Sequence, residues 1–331
     1  MRQTAKNLLR AIGVLDRARR YAWARRIRKT SERSDIETLP FRGNTRSEHL
    51  TVRSLPEFED YCRTRQNELE CRCEFELAIA GRAPVVVAGR SSRGRRRGEY
   101  YVPAPTQLDP ASSQPQVSLR EGLIDLQTGF PSRIRAVLHS IDRLVPLDQL
   151  NSSPIFLSEQ TTGLFNYFKR KYPKVIGSEY LGPDKQPGSV VAGVRHEDLC
   201  CLSFPDGKFG TIVVLEVLEH IPAYKKALPE LARILQPGGV ALITVPFLHH
   251  QDKNLIRARV GATGEIEHLL PPDYHGDPVR PEQGILCFQY FGWDLLRELT
   301  FAGFKEAAMD LLWSADDLLL GENLCVIYAR K

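Results

Sequence analysis

The sequence predicts an α/β protein with a mostly parallel, seven-stranded sheet, helices on both faces of that sheet, and an N-terminal accessory region. From Val145 onward, short apolar runs rich in β-branched residues alternate with amphipathic helical stretches, the pattern of βαβ units on a parallel sheet. In addition, 331 residues with 42% apolar and 26% charged side chains suffice for a packed core. This composition excludes a disordered, collagenous or disulfide-scaffold protein. Because of the βαβ alternation, the sheet is expected to be Rossmann-like.

The alternation divides the chain into a basic helix and linker over 1–50, an accessory region over 51–145 and a sheet domain over 146–331. We predict seven strands in the last part, near Ile155–Leu157, Val175–Glu179, Val190–Val194, Thr211–Glu216, Val240–Pro246, Phe304–Leu311 and Leu324–Tyr328. The helices between them are expected at Leu164–Lys171, Ala223–Leu235 and Trp293–Ala302.

The first 30 residues hold ten Lys or Arg against one acid, which gives +9 of a whole-chain net charge of +5 and leaves −4 for the rest. Apolar residues recur among these charges at helical spacing, at Leu8, Leu9, Ile12 and Leu15 and more weakly at Tyr21, Trp23 and Ile27. Such a basic amphipathic helix either contacts an anionic membrane surface, RNA or an acidic partner, or packs on the protein's own body. Because the rest of the chain is not basic, we expect no specific nucleic-acid partner.

The accessory region is expected to follow a polar, irregular linker at 30–50. It begins with a predicted helix over Leu55–Arg65 and continues with an apolar run at Ala83–Ala88. The arginine cluster at 93–98 and the Pro-rich stretch 103–115 are interpreted as exposed loops.

Neither a bilayer-spanning apolar stretch nor a secretion signal is evident, so we predict a cytoplasmic protein. The alternative is a cytoplasmic protein that contacts a membrane peripherally through the basic helix. Seven irregularly spaced cysteines fit reduced thiols in such a compartment. The pair Cys71 and Cys73 lacks the spacing of a zinc knuckle.

The most informative segment is 197–247. It begins E-D-L-C-C-L-S-F-P-D-G-K-F-G-T-I-V-V-L-E-V-L-E-H-I-P and closes L-A-R-I-L-Q-P-G-G-V-A-L-I-T-V-P-F. Pro237–Gly239 can end a helix and turn sharply into the next strand. Glu216, Glu219 and His220 follow a predicted strand, at the carboxyl edge where open α/β sheets bind ligands. In the order and spacing of these pieces, the segment strongly resembles the second half of class I S-adenosylmethionine-dependent methyltransferases of the small-molecule type.

This resemblance implies S-adenosylmethionine as the cofactor. The family's acidic residue at the end of the second strand, here Glu179, would bond both ribose hydroxyls, a role that the two oxygens of a carboxylate suit. Asp198 matches the residue that accepts from the adenine amine, with Leu199 as an apolar wall, although a helix N-cap is the alternative for Asp198. Glu216 and His220 complete the predicted cofactor site.

The first βα turn departs from the family pattern. Where the family has an acidic residue and a G-x-G-x-G run, this chain reads I-F-L-S-E-Q-T-T-G-L-F and retains only Gly163. A subset of bacterial methyltransferases encoded beside glycosyltransferases is similar here, and it also resembles this chain over residues 264–278. We therefore expect a variant loop in which Glu159 or Gln160 binds the methionine amine.

Residues 120–139 also resemble that subset, in which a Cys-rich ribbon precedes a similar arginine-containing helix. Leu126 and Gly129 stand at the spacing of the absent cysteine pair. The accessory region is therefore interpreted as a possible decayed metal ribbon, with a fold that rests on apolar packing.

The resemblance implies methyl transfer, an in-line displacement at a sulfonium for which proximity supplies much of the rate. A hydroxyl acceptor also needs a base, and His275 is the first candidate, His250 the second, with Asp277 as a further catalytic residue. These lie in or near a long insertion, 248–292, whose aromatic residues suit a sugar ring or a planar acceptor. Two histidines and an aspartate there are an alternative site for a divalent ion, but their order is no metal motif and we assign no metal ligand.

The predicted function is therefore methyl transfer from S-adenosylmethionine to a small-molecule or glycan acceptor, most simply at a hydroxyl. The alternatives are an N-methyltransferase, a non-catalytic scaffold on a methyltransferase fold, and a nucleotide-sugar or nicotinamide enzyme. The last is disfavoured because no G-x-G-x-x-G follows the first strand.

Overall fold

The computed structural model describes residues 16–35, 41–90, 97–104, 107–108, 115–276, 284–321 and 324–331. The helices are α1 Asp16–Thr30, α2 Leu55–Thr64, α3 Gln66–Ala80, α4 Leu119–Gly122, α5 Ser132–Leu144, α6 Leu147–Ser152, α7 Gly163–Lys171, α8 Ala227–Ile234 and α9 Asp294–Phe301. Two 3₁₀ turns, Leu218–His220 and Tyr224–Lys226, precede α8.

The strands fall into an accessory set and a domain set. The accessory strands are β1 Glu32–Asp35, β2 Ser47–Val52, β3 Val85–Arg90, β4 Arg97–Val102, β5 Gln107–Leu108, β6 Pro115–Gln116 and β7 Ile124–Asp125. The domain strands are β8 Ile155–Leu157, β9 Val175–Gly177, β10 Val190–Val191, β11 Val194–Arg195, β12 Phe209–Leu215, β13 Leu235–Thr244, β14 Leu255–Ile256, β15 Ala258–Val260, β16 Ile266–His268, β17 Tyr274–His275, β18 Ile285–Leu286, β19 Gln289–Tyr290, β20 Glu306–Ser314 and β21 Cys325–Arg330.

The main sheet has seven strands in the order β2-β20-β21-β13-β12-β8-β9. The four strands β9, β8, β12 and β13 run parallel, and β21, β20 and β2 continue the sheet in antiparallel pairs. Apolar side chains cover both faces, since β12 is buried along its whole length. The predicted seven-stranded α/β fold is confirmed, with a parallel half that carries the predicted site and an antiparallel half beside it.

Two predicted elements were wrong. The linker expected at 30–50 contains β1 and most of β2, and β2 forms the edge of the main sheet, where Leu50 pairs with Leu311. Exposed and more buried side chains alternate along β2 because one face of an edge strand meets solvent. A strand of this kind contains no continuous apolar run, so the sequence pattern did not indicate it. The strand expected at Val190–Val194 is a short hairpin, β10 with β11, outside the main sheet.

The accessory region packs directly on the sheet domain. A second sheet, in the order β1-β3-β4-β7, shares a core with the end of β20, where Trp313 lies among Phe75, Val85 and Leu123. On α2, Phe58 is buried in the core of the main sheet and its ring lies 5.8 Å from that of Trp293. The two regions therefore share apolar surface at two places.

The basic helix packs on the body of the protein. In α1, Trp23, Ala24 and Ile27 lie against Val86 and Leu126, and Arg28 makes an ion pair of 2.5 Å with Glu99. Leu126 is thus part of an apolar contact, and the decayed metal ribbon stays a prediction. Residues 1–15, with the leucines and Ile12 of the predicted apolar face, lie outside the described residues.

The outer side of α1 is cationic, because Arg25, Arg26 and Lys29 are exposed. Most of the arginine cluster at 93–98 lies outside the described residues. Across the parts of the chain that the structure describes, no helix combines the length and the apolar character needed to cross a bilayer.

Replacing Phe58 by alanine tests whether the accessory region is part of the folded body. The side chain is 3% exposed, so Phe58→Ala should lower the free energy of unfolding by about 3 to 5 kcal/mol, measured by chemical denaturation. Phe301→Ala, which removes a ring that is 89% exposed on α9, is the matched control and should change it by about 0.5 kcal/mol or less. Equal small effects of both changes would mean that α2 is only loosely attached.

Candidate active site

The site is built at the carboxyl edge of the four parallel strands. The segments that follow β8, β9, β12 and β13 meet there because parallel strands end on the same side of a sheet. These segments carry the predicted residues Glu159, Glu179, Glu216 and His250.

Glu179 follows β9 and holds the turn that follows β8. Its Oε1 accepts hydrogen bonds from the backbone N–H of Gln160, at 2.8 Å, and from the N–H and hydroxyl of Thr161, at 2.8 and 2.7 Å. The backbone N–H of Glu179 donates to Arg195 O, and its carbonyl accepts from Glu197 N. A single buried carboxylate therefore fixes the turn that lacks the family's glycine run.

Gln160 extends this network to the next segment. Its Nε2 donates to Gly193 O at 2.9 Å and its Oε1 accepts from Arg195 N at 2.8 Å, so the side chain ties the first turn to the β10–β11 hairpin. In this structure Gln160 is a structural bridge. Its predicted contact with the methionine amine stays a prediction.

The glycine whose small size the structure requires is on the second strand. A Cβ on Gly177 would lie 2.6 Å from Glu159 O and from a ring carbon of Phe165. A Cβ on Gly163 would approach nothing closer than Phe130, at 3.8 Å. Gly163 was singled out from the sequence and Gly177 was missed, since close approach to the turn after β8 and to a ring on α7 leaves no local pattern.

Glu159 is a carboxyl group whose negative charge is only partly compensated. Its Oε1 is inaccessible to solvent and has no hydrogen-bond partner in the described part of the chain. Burial, reinforced by the nearby Glu179, raises the pKa of Glu159 to about 7, against a hydrogen bond with Thr162 and the attraction of Arg133. The group is therefore suited to take up a cation, which would restore its ionised form.

Asp198 and Leu199 follow the β10–β11 hairpin. Asp198 Oδ1 accepts from the backbone N–H of Cys200 at 2.8 Å, and its carbonyl accepts from Cys201 N. The residue thus stabilises a tight turn and does not cap a helix. Leu199 is buried in the core of the main sheet, as an apolar wall would be.

Glu216 immediately follows β12 and has a backbone φ of +52°, in the left-handed region that non-glycine residues rarely adopt. Its Oε1 lies 3.3 Å from Arg120 Nη2 and 3.9 Å from Arg133 Nη1. Both arginines belong to the accessory helices α4 and α5. The sequence analysis did not assign them to the site, because only the tertiary fold brings them to this strand end.

The 3₁₀ turn after β12 presents a second group of side chains. Glu219 Oε1 lies 3.7 Å from His220 Nε2 and 3.7 Å from His275 Nδ1, and the rings of the two histidines meet edge to face. Ligand atoms of His220, His275 and Cys287 all lie within 4.8 Å of one another. His275 Nε2 faces Asp273 Oδ2 at 3.5 Å. The structure thus brings together His220 and the first-choice base, and adds Cys287, which the sequence analysis did not select.

The insertion is fastened to this turn by hydrogen bonds. Phe288 N donates to Glu219 O at 2.8 Å, and Gln289 Nε2 donates to Leu218 O at 2.6 Å and to Ile221 O at 3.1 Å. Short strand pairs, β14 with β19, β15 with β16 and β17 with β18, organise the rest of it. Asp277 lies outside the described residues.

The two histidines after β13 differ. His249 is buried, its carbonyl accepts from Trp293 Nε1 at 2.8 Å, and burial lowers the pKa of its imidazole to about 4. His250 is exposed, with its ring 5.3 Å from that of Phe58. Of these two, His250 is the imidazole that a soluble acceptor can reach.

Replacing Glu159 by glutamine tests the state of this carboxyl group. Folding raises its pKa from 4.5 to about 7, so its stabilising contribution is complete below pH 4.5 and is lost as the pH rises through 7. The amide of Glu159→Gln cannot ionise. The free energy of unfolding of the variant minus that of the wild type should therefore be larger at pH 8 than at pH 5, by about 1 to 3 kcal/mol.

The exposed Glu70 provides the control, since Glu70→Gln should keep a constant difference from the wild type over this range. The free energy of unfolding of the wild type and of both variants is measured by chemical denaturation at about pH 5 and about pH 8. A Glu159→Gln curve that runs parallel to the wild type would mean that Glu159 is already ionised at neutral pH.

Comparison with known proteins finds similarity to a curated protein sequence and to solved structures. Demethylmenaquinone methyltransferase of Thermus thermophilus is 26% identical over 144 residues, which cover 40% of this chain and 63% of that protein. An S-adenosylmethionine-dependent methyltransferase of Mesorhizobium loti aligns with a TM-score of 0.37 and 15% identity, over 59% of this chain and 98% of that one. A putative S-adenosylmethionine-dependent methyltransferase of Listeria monocytogenes aligns with a TM-score of 0.39 and 11% identity, over 60% and 99%.

The two structural likenesses are too distant to carry an argument about activity, and the fold rests on the strand order described above. The sequence profile of the methyltransferase domain family matches residues 175–243, which span β9 to β13 with Glu179, Asp198, Glu216 and His220. This match supports the cofactor predicted from the sequence, S-adenosylmethionine. Residues 175–243 are thus similar to a methyltransferase domain.

Proposed function

We propose that this protein transfers a methyl group from S-adenosylmethionine to a hydroxyl of a small-molecule or glycan acceptor. The observation that carries the proposal is the position of Glu179. This carboxylate lies at the carboxyl end of β9, inside the segment that matches the methyltransferase family, and it orders the first βα turn. Ligands of open α/β sheets bind at this edge.

Four predicted residues would hold the cofactor. Glu179 uses Oε1 for the turn, so Oε2 would accept from the ribose. Asp198 and the buried Leu199 would contact the adenine. Glu159, with its raised pKa, would meet the methionine ammonium and ionise in its presence, because an adjacent positive charge favours the carboxylate.

The cofactor supplies an electrophilic methyl group on a sulfonium. The protein's task is to hold the acceptor oxygen in line with that methyl and to take the proton that the oxygen loses. The acceptor would enter between the turn after β12 and the segment after β13, beside the aromatic side chains of the insertion. Exposed Tyr274, on β17, offers a ring face for a sugar.

We propose His250 as the base. The first-choice candidate, His275, has both ring nitrogens directed at carboxylates, Glu219 and Asp273, and Glu219 raises the pKa of His275. An imidazole held in this way gives up its proton reluctantly and is a poor base at neutral pH. His250 is exposed beyond β13, and its ring lies beside that of Phe58.

The similarity of residues 264–278 to methyltransferases encoded beside glycosyltransferases supports a glycan acceptor within this proposal. The cationic outer side of α1 supports contact with an anionic membrane surface, which stays a prediction.

The proposal as a whole is tested with the full-length protein and methyl-labelled S-adenosylmethionine. A panel of mono- and oligosaccharides and hydroxylated aromatics, with matched amines, is screened for labelled product. Label on oxygen supports the proposal. Label on nitrogen alone favours an N-methyltransferase, and absence of cofactor binding by calorimetry favours a scaffold.

Two variants of Glu179 separate cofactor binding from loop structure. Glu179→Gln keeps a carbonyl oxygen that can accept the three hydrogen bonds of the turn, so its melting temperature should stay close to that of the wild type. Its affinity for S-adenosylhomocysteine should fall by about tenfold to a hundredfold, the worth of a hydrogen bond to a charged group. Glu179→Ala should lose both affinity and stability.

Isothermal titration calorimetry and thermal melts give the two readouts, with Glu70→Gln as the control that changes neither. Unchanged affinity in Glu179→Gln would remove this residue from the ribose role.

The role of His250 is tested with His250→Gln once an acceptor is found. The rate of methyl transfer should drop by about a hundredfold or more, since a positioned base is lost, while the affinity for S-adenosylhomocysteine stays unchanged. His268→Gln, at an exposed position on β16, is the control and should keep full activity. Full activity of His250→Gln would exclude His250 as the base.

A further inference from the structure

The cluster beside the proposed active site has the composition of a metal centre. His220, His275 and Cys287 offer two nitrogens and a sulfur whose ligand atoms all lie within 4.8 Å of one another. Glu219 Oε1 lies 3.7 Å from a nitrogen of each histidine. Imidazole, thiolate and carboxylate are the ligands that zinc uses in proteins.

An independent observation comes from Glu219. Its side chain is 0% exposed, and within the described residues neither carboxylate oxygen has a hydrogen-bond partner. Burial of a carboxylate costs several kcal/mol unless a counter-charge or hydrogen bonds compensate. The nearest histidine nitrogens, at 3.7 Å, are too far for hydrogen bonds. A cation held between Glu219 and these two histidines would compensate the charge.

The surroundings orient the ligand atoms. His220 Nδ1 lies 2.9 Å from Leu286 O, which leaves Nε2 to face Glu219. His275 directs Nε2 at Asp273 and Nδ1 at Glu219. Metal-binding histidines usually donate their second N–H to a carbonyl or a carboxylate in this way.

Cys287 is fixed from the backbone, because its N–H donates to Asp273 O at 2.8 Å and its side chain is 0% exposed. In a tetrahedral zinc site, neighbouring ligand atoms lie about 3.3 to 3.8 Å apart, given metal bonds of about 2.0 to 2.3 Å. The two distances of 3.7 Å from Glu219 already fall in that range. The ligand atoms of His220, His275 and Cys287 lie within 4.8 Å of one another, so binding would draw these side chains closer together.

We propose that His220, His275, Cys287 and Glu219 bind a zinc ion with four protein ligands. Binding forms a bond from zinc to the sulfur of Cys287, and the thiol proton leaves to solvent. Four protein ligands leave no open position, which is typical of a structural site. The ion would join the insertion, through His275 and Cys287, to the turn after β12. This inference goes beyond the proposed methyl transfer and does not depend on it.

Zinc binding to the full-length protein tests the proposal. The protein is stripped with a chelator and titrated with zinc against a chromophoric competitor. We expect one zinc ion per chain in the wild type. His275→Gln and Cys287→Ser should weaken binding by about tenfold or more, the loss of a ligand. Substitution with cobalt should give a thiolate-to-metal charge-transfer band that Cys287→Ser removes.

His268→Gln and Cys201→Ser replace exposed residues of the same types and should bind zinc as the wild type does. Because Cys287 is buried and its variant is the one that risks misfolding, His275→Gln, whose side chain is 31% exposed, provides the second measurement. The proposal would be overturned if the wild type bound zinc no more tightly than His275→Gln does. It would also be overturned if the cobalt complex of the wild type lacked the charge-transfer band. The readout is the metal, so its failure is distinct from a failure to methylate.

Discussion

The carboxylate of Glu179 is the interaction on which the proposed cofactor site depends. It accepts three hydrogen bonds from Gln160 and Thr161, while its backbone joins the strand end to Arg195 and Glu197. In this protein a side chain thus fixes the first turn. In the family that the chain resembles, a run of glycines occupies this turn and lets the backbone approach the cofactor. The group that would hold the ribose also orders the turn that the methionine part would meet, so cofactor binding and loop order are coupled.

The site is strongly acidic, and the accessory region supplies its opposing charge. Burial and the nearby Glu179 raise the pKa of Glu159, and burial and the nearby Glu216 raise the pKa of Glu219. Arg133, on α5, lies near both groups and partly neutralises them. A cofactor with a sulfonium and an ammonium complements this surplus of carboxylates. The accessory region is therefore part of the electrostatics of the site as well as of the packing.

The sheet was predictable because buried parallel strands such as Phe209–Leu215 leave long apolar runs in the sequence. Edge strand β2 was not, since half of its side chains face solvent. Glu179 could be proposed from the sequence because the family that the chain resembles has an acidic residue at the end of its second strand. Cys287 and Arg120 were missed because each reaches the site from a distant segment, through contacts that no local spacing records.

The central claim is that an adenosyl group binds at this carboxyl edge, and a crystal structure of the protein with S-adenosylhomocysteine tests it most directly. The account predicts the ribose against Glu179, the adenine beside Asp198 and Leu199, and the amine within reach of Glu159. A nucleoside bound elsewhere, or a crevice filled by the side chains of the first turn with the ligand excluded, would contradict it.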